Sequence, residues 1–190
     1  MKRIFIIFCM IFILIGGLMP LSAVAGEKYR KWSNPKAIKT YVPVRHRHSP
    51  MMKRAFAEWS RKTNNRIVFK YVATKTEADI VVRYFEEIGD CGEANNAIGC
   101  ARSAFYNCTK TECKFKHVYI DIADKTINGR ELSTKVEIYT TMLHEIGHAI
   151  GLGHNEHNKY SIMSVNPNRS VLKQEIDKED LAELAKIYKW

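Results

Sequence analysis

Three histidines and one glutamate in MLHEIGHAIGLGH, residues 142–154, have the types and spacing of a metal-built hydrolytic site. His144 and His148 are four apart, so on a helix they stack one turn above each other and can aim both imidazoles at one ion. Glu145 follows the first histidine, rotated about a quarter turn, and can sit beside the ion without ligating it. His154 could not join on a continuing helix, because it would lie about 15 Å further along the axis. The chain must break, and Gly151 can take the left-handed conformation that ends a helix and turns the next residues back. Gly153 allows a further tight bend. Three neutral imidazoles leave a fourth position open, the catalytic rather than the structural zinc arrangement. Water held there becomes acidic enough to attack near neutral pH, and Glu145 is placed to take its proton. His157, His46 and His48 read as solvated surface residues, and His117 stands alone at a strand start.

The elements that must carry this site follow from periodicity. Residues 133–150 read as its helix, starting at Ser133 or Thr134. SPMMKRAFAEWSRKT, residues 49–63, reads as an amphipathic helix with Ser49 as N-cap and Pro50 at the first helical position. Its stripe of Met52, Ala55, Phe56 and Trp59 belongs to a core rather than to a ligand site. Residues 37–44, 66–72, 78–85 and 116–122 read as β-strands, rich in β-branched and aromatic residues. AIGCARSAFY, residues 97–106, reads as an edge strand in an otherwise turn-like stretch. The last helix takes Asp177 as its cap and presents Leu181, Leu184, Ala185 and Tyr188 along one face. This order predicts a mixed α/β domain whose sheet has helices packed on it.

Lys2 and Arg3, the apolar run Ile4–Met19 and the Ala23-x-Ala25 pattern predict a signal peptide over residues 1–25. Its apolar run is shorter than the roughly 20 residues of a spanning helix. Residues 26–190 then form a single domain, with no membrane anchor after cleavage. Cys9 falls in the leader, leaving Cys91, Cys100, Cys108 and Cys113, an even set that in an exported protein favours two disulfides. Only one pair, Cys108 and Cys113, has the two-to-four-residue spacing typical of structural zinc, and a four-thiolate site needs two. Three pairings are open; Cys91–Cys100 with Cys108–Cys113 closes the shortest loops. The formal charge is +10, its basic residues scattered and interleaved with acids near the C-terminus. No nucleic-acid motif accompanies them, so the charge reads as solubility with a preference for anionic surfaces. A monomer is expected.

HEIGHAIGLGH followed by SIMS resembles the metzincin zinc peptidases, whose third histidine follows a glycine turn and whose methionine turn underlies the metal. Met163 matches that methionine. The rest resembles one branch, the matrixins: residues 55–72 are similar to their first helix and second strand, and ADIVVRYF to their third strand. KEDLAELAKIY is similar to their closing helix, where an acidic residue, here Asp180, hydrogen-bonds under the methionine turn. The resemblance implies a twisted, mostly parallel sheet of about five strands with two helices packed on it, and a C-terminal helix after the zinc site. It implies one catalytic zinc on His144, His148 and His154, with Glu145 as base and Met163, Gly151 and Asp180 in support. The relatives' inhibitory cysteine segment has no counterpart, so neither a propeptide nor a cysteine switch is expected. Their second, structural zinc also lacks ligands: Asp90 could match one, but Ile88, Cys100 and Tyr119 stand where histidines would be. A calcium ion through Asp121 and Asp124 is a further expectation.

The expected activity is a secreted or periplasmic zinc endopeptidase. A protein or peptide substrate would pair along the edge strand at Ile98–Ala104, with SVNPN, residues 164–168, walling the pocket past the scissile bond. Two other readings remain open: a zinc amidase acting on cell-wall peptides, and a non-catalytic protein-binding module on a peptidase fold.

Overall fold

The structure, a computed structural model, describes residues 28–91, 97–132, 135–165 and 174–190. The expected leader, the Ser133/Thr134 helix start and most of the SVNPN wall lie outside these residues. Six strands and three α-helices follow in order: β1 (Tyr29–Lys31), β2 (Ile38–Tyr41), α1 (Ser49–Lys62), β3 (Phe69–Tyr71), β4 (Ile80–Phe85), β5 (Gly99–Tyr106), β6 (Glu112–Ala123), α2 (Lys135–Ala149) and α3 (Lys178–Tyr188). They make one sheet in the order β1-β6-β4-β2-β3, with β5 added on β6. Every pairing is parallel except the antiparallel β5–β6. The expected mostly parallel sheet is present with one strand more than expected. The addition is β1, a three-residue piece too short and polar to stand out in the sequence, which pairs beside Glu112–Lys114.

Alternation sets the faces of the sheet. Ile38, Ile80, Val82, Val118, Ile120 and Ile122 are at most 1 % exposed and form one buried layer with Met52, Phe56 and Trp59 of α1 and Met142, Ile146 and Ala149 of α2. The α1 stripe is therefore core, as its spacing predicts. β6 runs longer than the expected 116–122, and its register with β5 slips between Ala104 and Phe105, leaving Lys116 unmatched. This extra residue reverses the alternation, so Phe115 is buried and meets Trp32 at 5.0 Å between ring centroids.

Some local readings need correction. The cap of α1 is His48; Ser49 is the first helical residue, and its hydroxyl donates to the Pro43 carbonyl instead. His48 is buried rather than on the surface, and both His46 and His48 face Asp124, at 3.5 and 3.1 Å. His117 lies within β6, edge-on to Tyr119. On α3 the buried stripe is Asp180, Leu184 and Ile187, one position away from the expected face, with Leu181 and Tyr188 half-buried beside it. Asp177 caps α3 as expected, accepting from the Glu179 and Asp180 amides while Asp180 accepts from the Asp177 amide, a reciprocal capping box.

Candidate metal centre and active site

α2 carries the first two histidines because Ile138, Met142, Leu143, Ile146 and Ala149 bury it between α1 and the β5–β6 strands. Trp59 of α1 donates its indole N–H to the Leu143 carbonyl at 2.9 Å, fixing the helix one residue before His144. The helix then ends as its glycine predicts. Gly151 has φ +112°; its N–H bonds to the His148 carbonyl and the Leu152 N–H to the Gly147 carbonyl, both at 3.0 Å. This is the paired reverse bonding of a Schellman cap. A side chain at Gly151 would also collide with the Arg30 carbonyl of β1. Gly153, by contrast, has no positive φ.

The last carbonyls of a helix have no partner within it. Here Trp32 supplies an indole N–H to Ala149 at 2.8 Å and Tyr188 a hydroxyl to Ile150 at 2.9 Å. The residue just after β1 and a residue of α3, both distant in sequence, thus pin the turn that brings His154 back.

The result is a three-imidazole cage. The His148 Nε2 lies 3.0 Å from that of His144 and 3.1 Å from that of His154. The His144 Nδ1 is 2.7 Å from the Ile162 carbonyl and the His148 Nδ1 is 2.9 Å from the Leu152 carbonyl. A carbonyl only accepts, so each of these Nδ1 atoms carries the proton. Two neutral imidazoles held in that tautomer turn bare Nε2 lone pairs toward each other, an arrangement that a cation resolves and a hydrogen bond does not. Ligand atoms around a tetrahedral ion with bonds near 2.05 Å stand about 3.3 Å apart, close to the spacing found. Among the described residues no other group of three potential ligands meets the same geometry. The carbonyls on Nδ1 also fix ring orientation, as second contacts of metal-binding histidines do.

Beneath the cage, residues 161–164 form a tight turn. The buried Met163 sits against Gly147 so closely that a side chain at 147 would overlap its sulfur. Asp180 accepts the Ser161 hydroxyl at 2.6 Å, and the Ser161 Oγ accepts the Met163 N–H at 2.9 Å. Burial pushes the Asp180 carboxyl up to about 6. The Asn155 N–H bonds to the Met163 carbonyl at 2.9 Å, tying the His154 loop to the same turn.

Glu145 is 6 % exposed and lies under the start of β5. A Cβ placed on Gly99 would stand 2.7 Å from the Glu145 Oε1 and 2.6 Å from the Thr141 Cγ2. Gly99 is the site residue that sequence reasoning misses: its importance comes from contact with a helix about 45 residues later, and only a bare glycine in an edge strand hints at close approach. Next to it, Cys100 is bonded to Cys91, and Cys108 to Cys113, the expected pairing. β5 is bonded on one side to β6, and no described strand lies on its other side.

His157 lies outside the cage, as its surface reading expects. His157 is exposed, and its backbone N–H bonds to the Asn155 side chain. Calcium finds no support: the Asp121 carboxylate is taken by Arg83, at 2.6 and 2.8 Å, and by Arg102, while Asp124 faces His46, Arg47 and His48. The position read as a lost histidine ligand, Ile88, is buried and apolar.

Among sequence families, the one described as matrixin matches residues 33–189. No curated protein matches the chain.

Proposed function

The chain belongs to the matrixin family of zinc metallopeptidases, and from that premise we propose that it is an exported endopeptidase whose catalytic residue is Glu145. The observation that carries this reading is the His144/His148/His154 cage with a buried carboxylate one residue from its first ligand. Zinc held by the three Nε2 atoms would supply a Lewis acid for the scissile carbonyl and lower the pKa of a water molecule. Glu145 then takes the proton of the attacking water and returns it to the leaving amine, one carboxylate serving as base and acid in turn. His144 and His148 keep their ligating tautomer through the Ile162 and Leu152 carbonyls. Met163 and Asp180 act from below, by packing and by the Ser161 relay. The free edge of β5 would take an extended peptide as an added strand, with Gly99 bringing its backbone against Glu145.

Two disulfides fit an oxidising compartment, which supports export. The described residues contain no helix long and apolar enough to cross a membrane.

The test is Glu145→Ala in the mature, zinc-loaded protein. The variant should bind one zinc per chain with near-unchanged affinity and lose hydrolysis of a casein substrate by about 10³-fold or more. Comparable cleavage by the variant would refute the mechanism. Cleavage of purified peptidoglycan, with casein left intact, would instead make the enzyme a cell-wall peptidase.

A further inference from the structure

Charge is unevenly divided between the two ends of the fold. Between Lys36 and Thr76 there are eleven lysines and arginines and one acidic residue, Glu58; residues 77–190 carry fourteen lysines and arginines and eighteen acids. The cationic segment builds β2, α1 and β3, and β3 closes the sheet at the end remote from β5. Lys39, Lys53, Arg61, Lys70 and Lys75 are all exposed there, and none forms an ion pair with a described residue. Two are held over aromatic rings instead: Lys53 lies 5.2 Å from the Tyr71 centroid and Lys75 6.0 Å from that of Tyr41. Such contacts order a cation without neutralising it.

The geometry of this edge is two-sided. Phe69 and Tyr71 turn toward α1, with centroids 4.6 and 6.4 Å from Phe56. Strand alternation therefore sends Lys70 to the opposite face, where it stands directly across from Lys39. Like charges so placed repel, and no described carboxylate bridges them. On the α1 side an open groove of about 340 Å³ runs between helix and strand, lined by Phe56, Ala57, Ser60, Arg61, Phe69 and Tyr71. Lys53, Ala57 and Arg61 recur every fourth residue, so the two cations flank the small alanine about 12 Å apart. Lysine on an edge strand can serve only to block aggregation. That explanation covers Lys70, but not Lys53 and Arg61 on the helix.

We propose that the β3 edge docks an extended acidic polypeptide, a segment of the protein substrate itself. An extended chain sends alternate side chains to opposite faces: one set of carboxylates meets Lys39 and Lys70, the other Lys53 and Arg61. A flat lipid surface would reach only one of these faces. Because β3 and β5 lie at different places on the sheet, docking leaves the cleft open and raises the local concentration of a tethered substrate there. The kinetic consequence rests on the endopeptidase reading; the binding does not.

The binding arm uses the Glu145→Ala protein and poly-L-glutamate, followed by fluorescence anisotropy at low and moderate salt. Lys53→Glu, Arg61→Glu and Lys70→Glu together should weaken binding at least tenfold. Three charge reversals elsewhere, at the exposed Lys110, Lys116 and Lys189, should weaken it less than threefold. Thermal unfolding confirms that both variants are folded. In the active enzyme, the β3-edge variant should raise KM for casein severalfold with kcat unchanged, and leave cleavage of a short neutral peptide unaffected. Equal losses in the two triple variants would overturn the proposal, since net charge alone would then explain binding. So would tighter, equally edge-dependent binding to dextran sulfate or to anionic vesicles, which would name a different partner. If the unsubstituted enzyme hydrolyses nothing, the endopeptidase reading fails while the binding arm still decides the docking site.

Discussion

At the scale of single residues, the site depends on side chains that are missing as much as on those present. Gly99 lets β5 press on Glu145, and a methyl there must displace the carboxylate or Thr141. Gly99→Ala should keep zinc content unchanged and lower kcat/KM by about 10²-fold, the scale of a misplaced catalytic group. Adding Thr141→Ser should recover part of the loss. It removes the Cγ2 in the way, while its hydroxyl can keep the bond to the Glu137 carbonyl. No recovery would mean that the methyl displaces Glu145 directly and that Thr141 plays no part in the loss.

Asp180 makes a pH-dependent prediction. Its pKa is raised from 3.8 to about 6 by burial, so the folded state holds this proton more tightly than the unfolded one. The resulting stabilisation is complete below pH 4 and lost as pH rises through about 6. Asp180→Asn should therefore gain stability relative to the parent by about 2 kcal/mol between pH 4 and pH 7. Urea unfolding of both zinc-free proteins checks this, because histidine titration is common to them. A gap that stays constant with pH would show that Asp180 is not the group responsible.

At the scale of elements, the sheet is braced by charge where the resemblance led one to expect a metal. Asp121 on β6 is 1 % exposed and joins Arg83 of β4 to Arg102 of β5, one guanidinium from each neighbouring strand. Arg83 also stacks over Tyr119 at 4.2 Å. Asp121→Asn should cost about 2–3 kcal/mol, less than a fully enclosed pair because both guanidiniums reach solvent. Calcium added to the zinc-free parent should leave its Tm within about 1 °C, on the premise that a ligand with no site contributes no linkage. A calcium-dependent rise in Tm would restore the ion.

At the scale of the whole molecule, zinc, the methionine turn and the distant β1 and α3 contacts form one coupled unit. The three imidazoles converge only in the folded chain, so an ion that binds them should stabilise the fold strongly. Saturating zinc at about a thousand times its Kd should add roughly 4 kcal/mol over the zinc-free protein. Tm should climb with the logarithm of free zinc. An unchanged Tm would mean that the triad holds no ion.

What the sequence determined by itself was local. His144 and His148 follow from one helical turn, the break from Gly151 and the cap of α3 from Asp177. These were legible because each depends on residues a few positions apart, whose geometry the backbone fixes. Tertiary structure alone decided the rest. β1 is three residues with no pattern of their own, and its pairing with β6 places Trp32 at the end of α2. Asp121 looked like a calcium ligand until two neighbouring strands brought arginines to it. Gly99 became a site residue only when the sheet edge met the helix. Contacts between segments tens of residues apart depend on how whole elements pack, and a linear pattern of polarity carries no record of which partner a residue will meet.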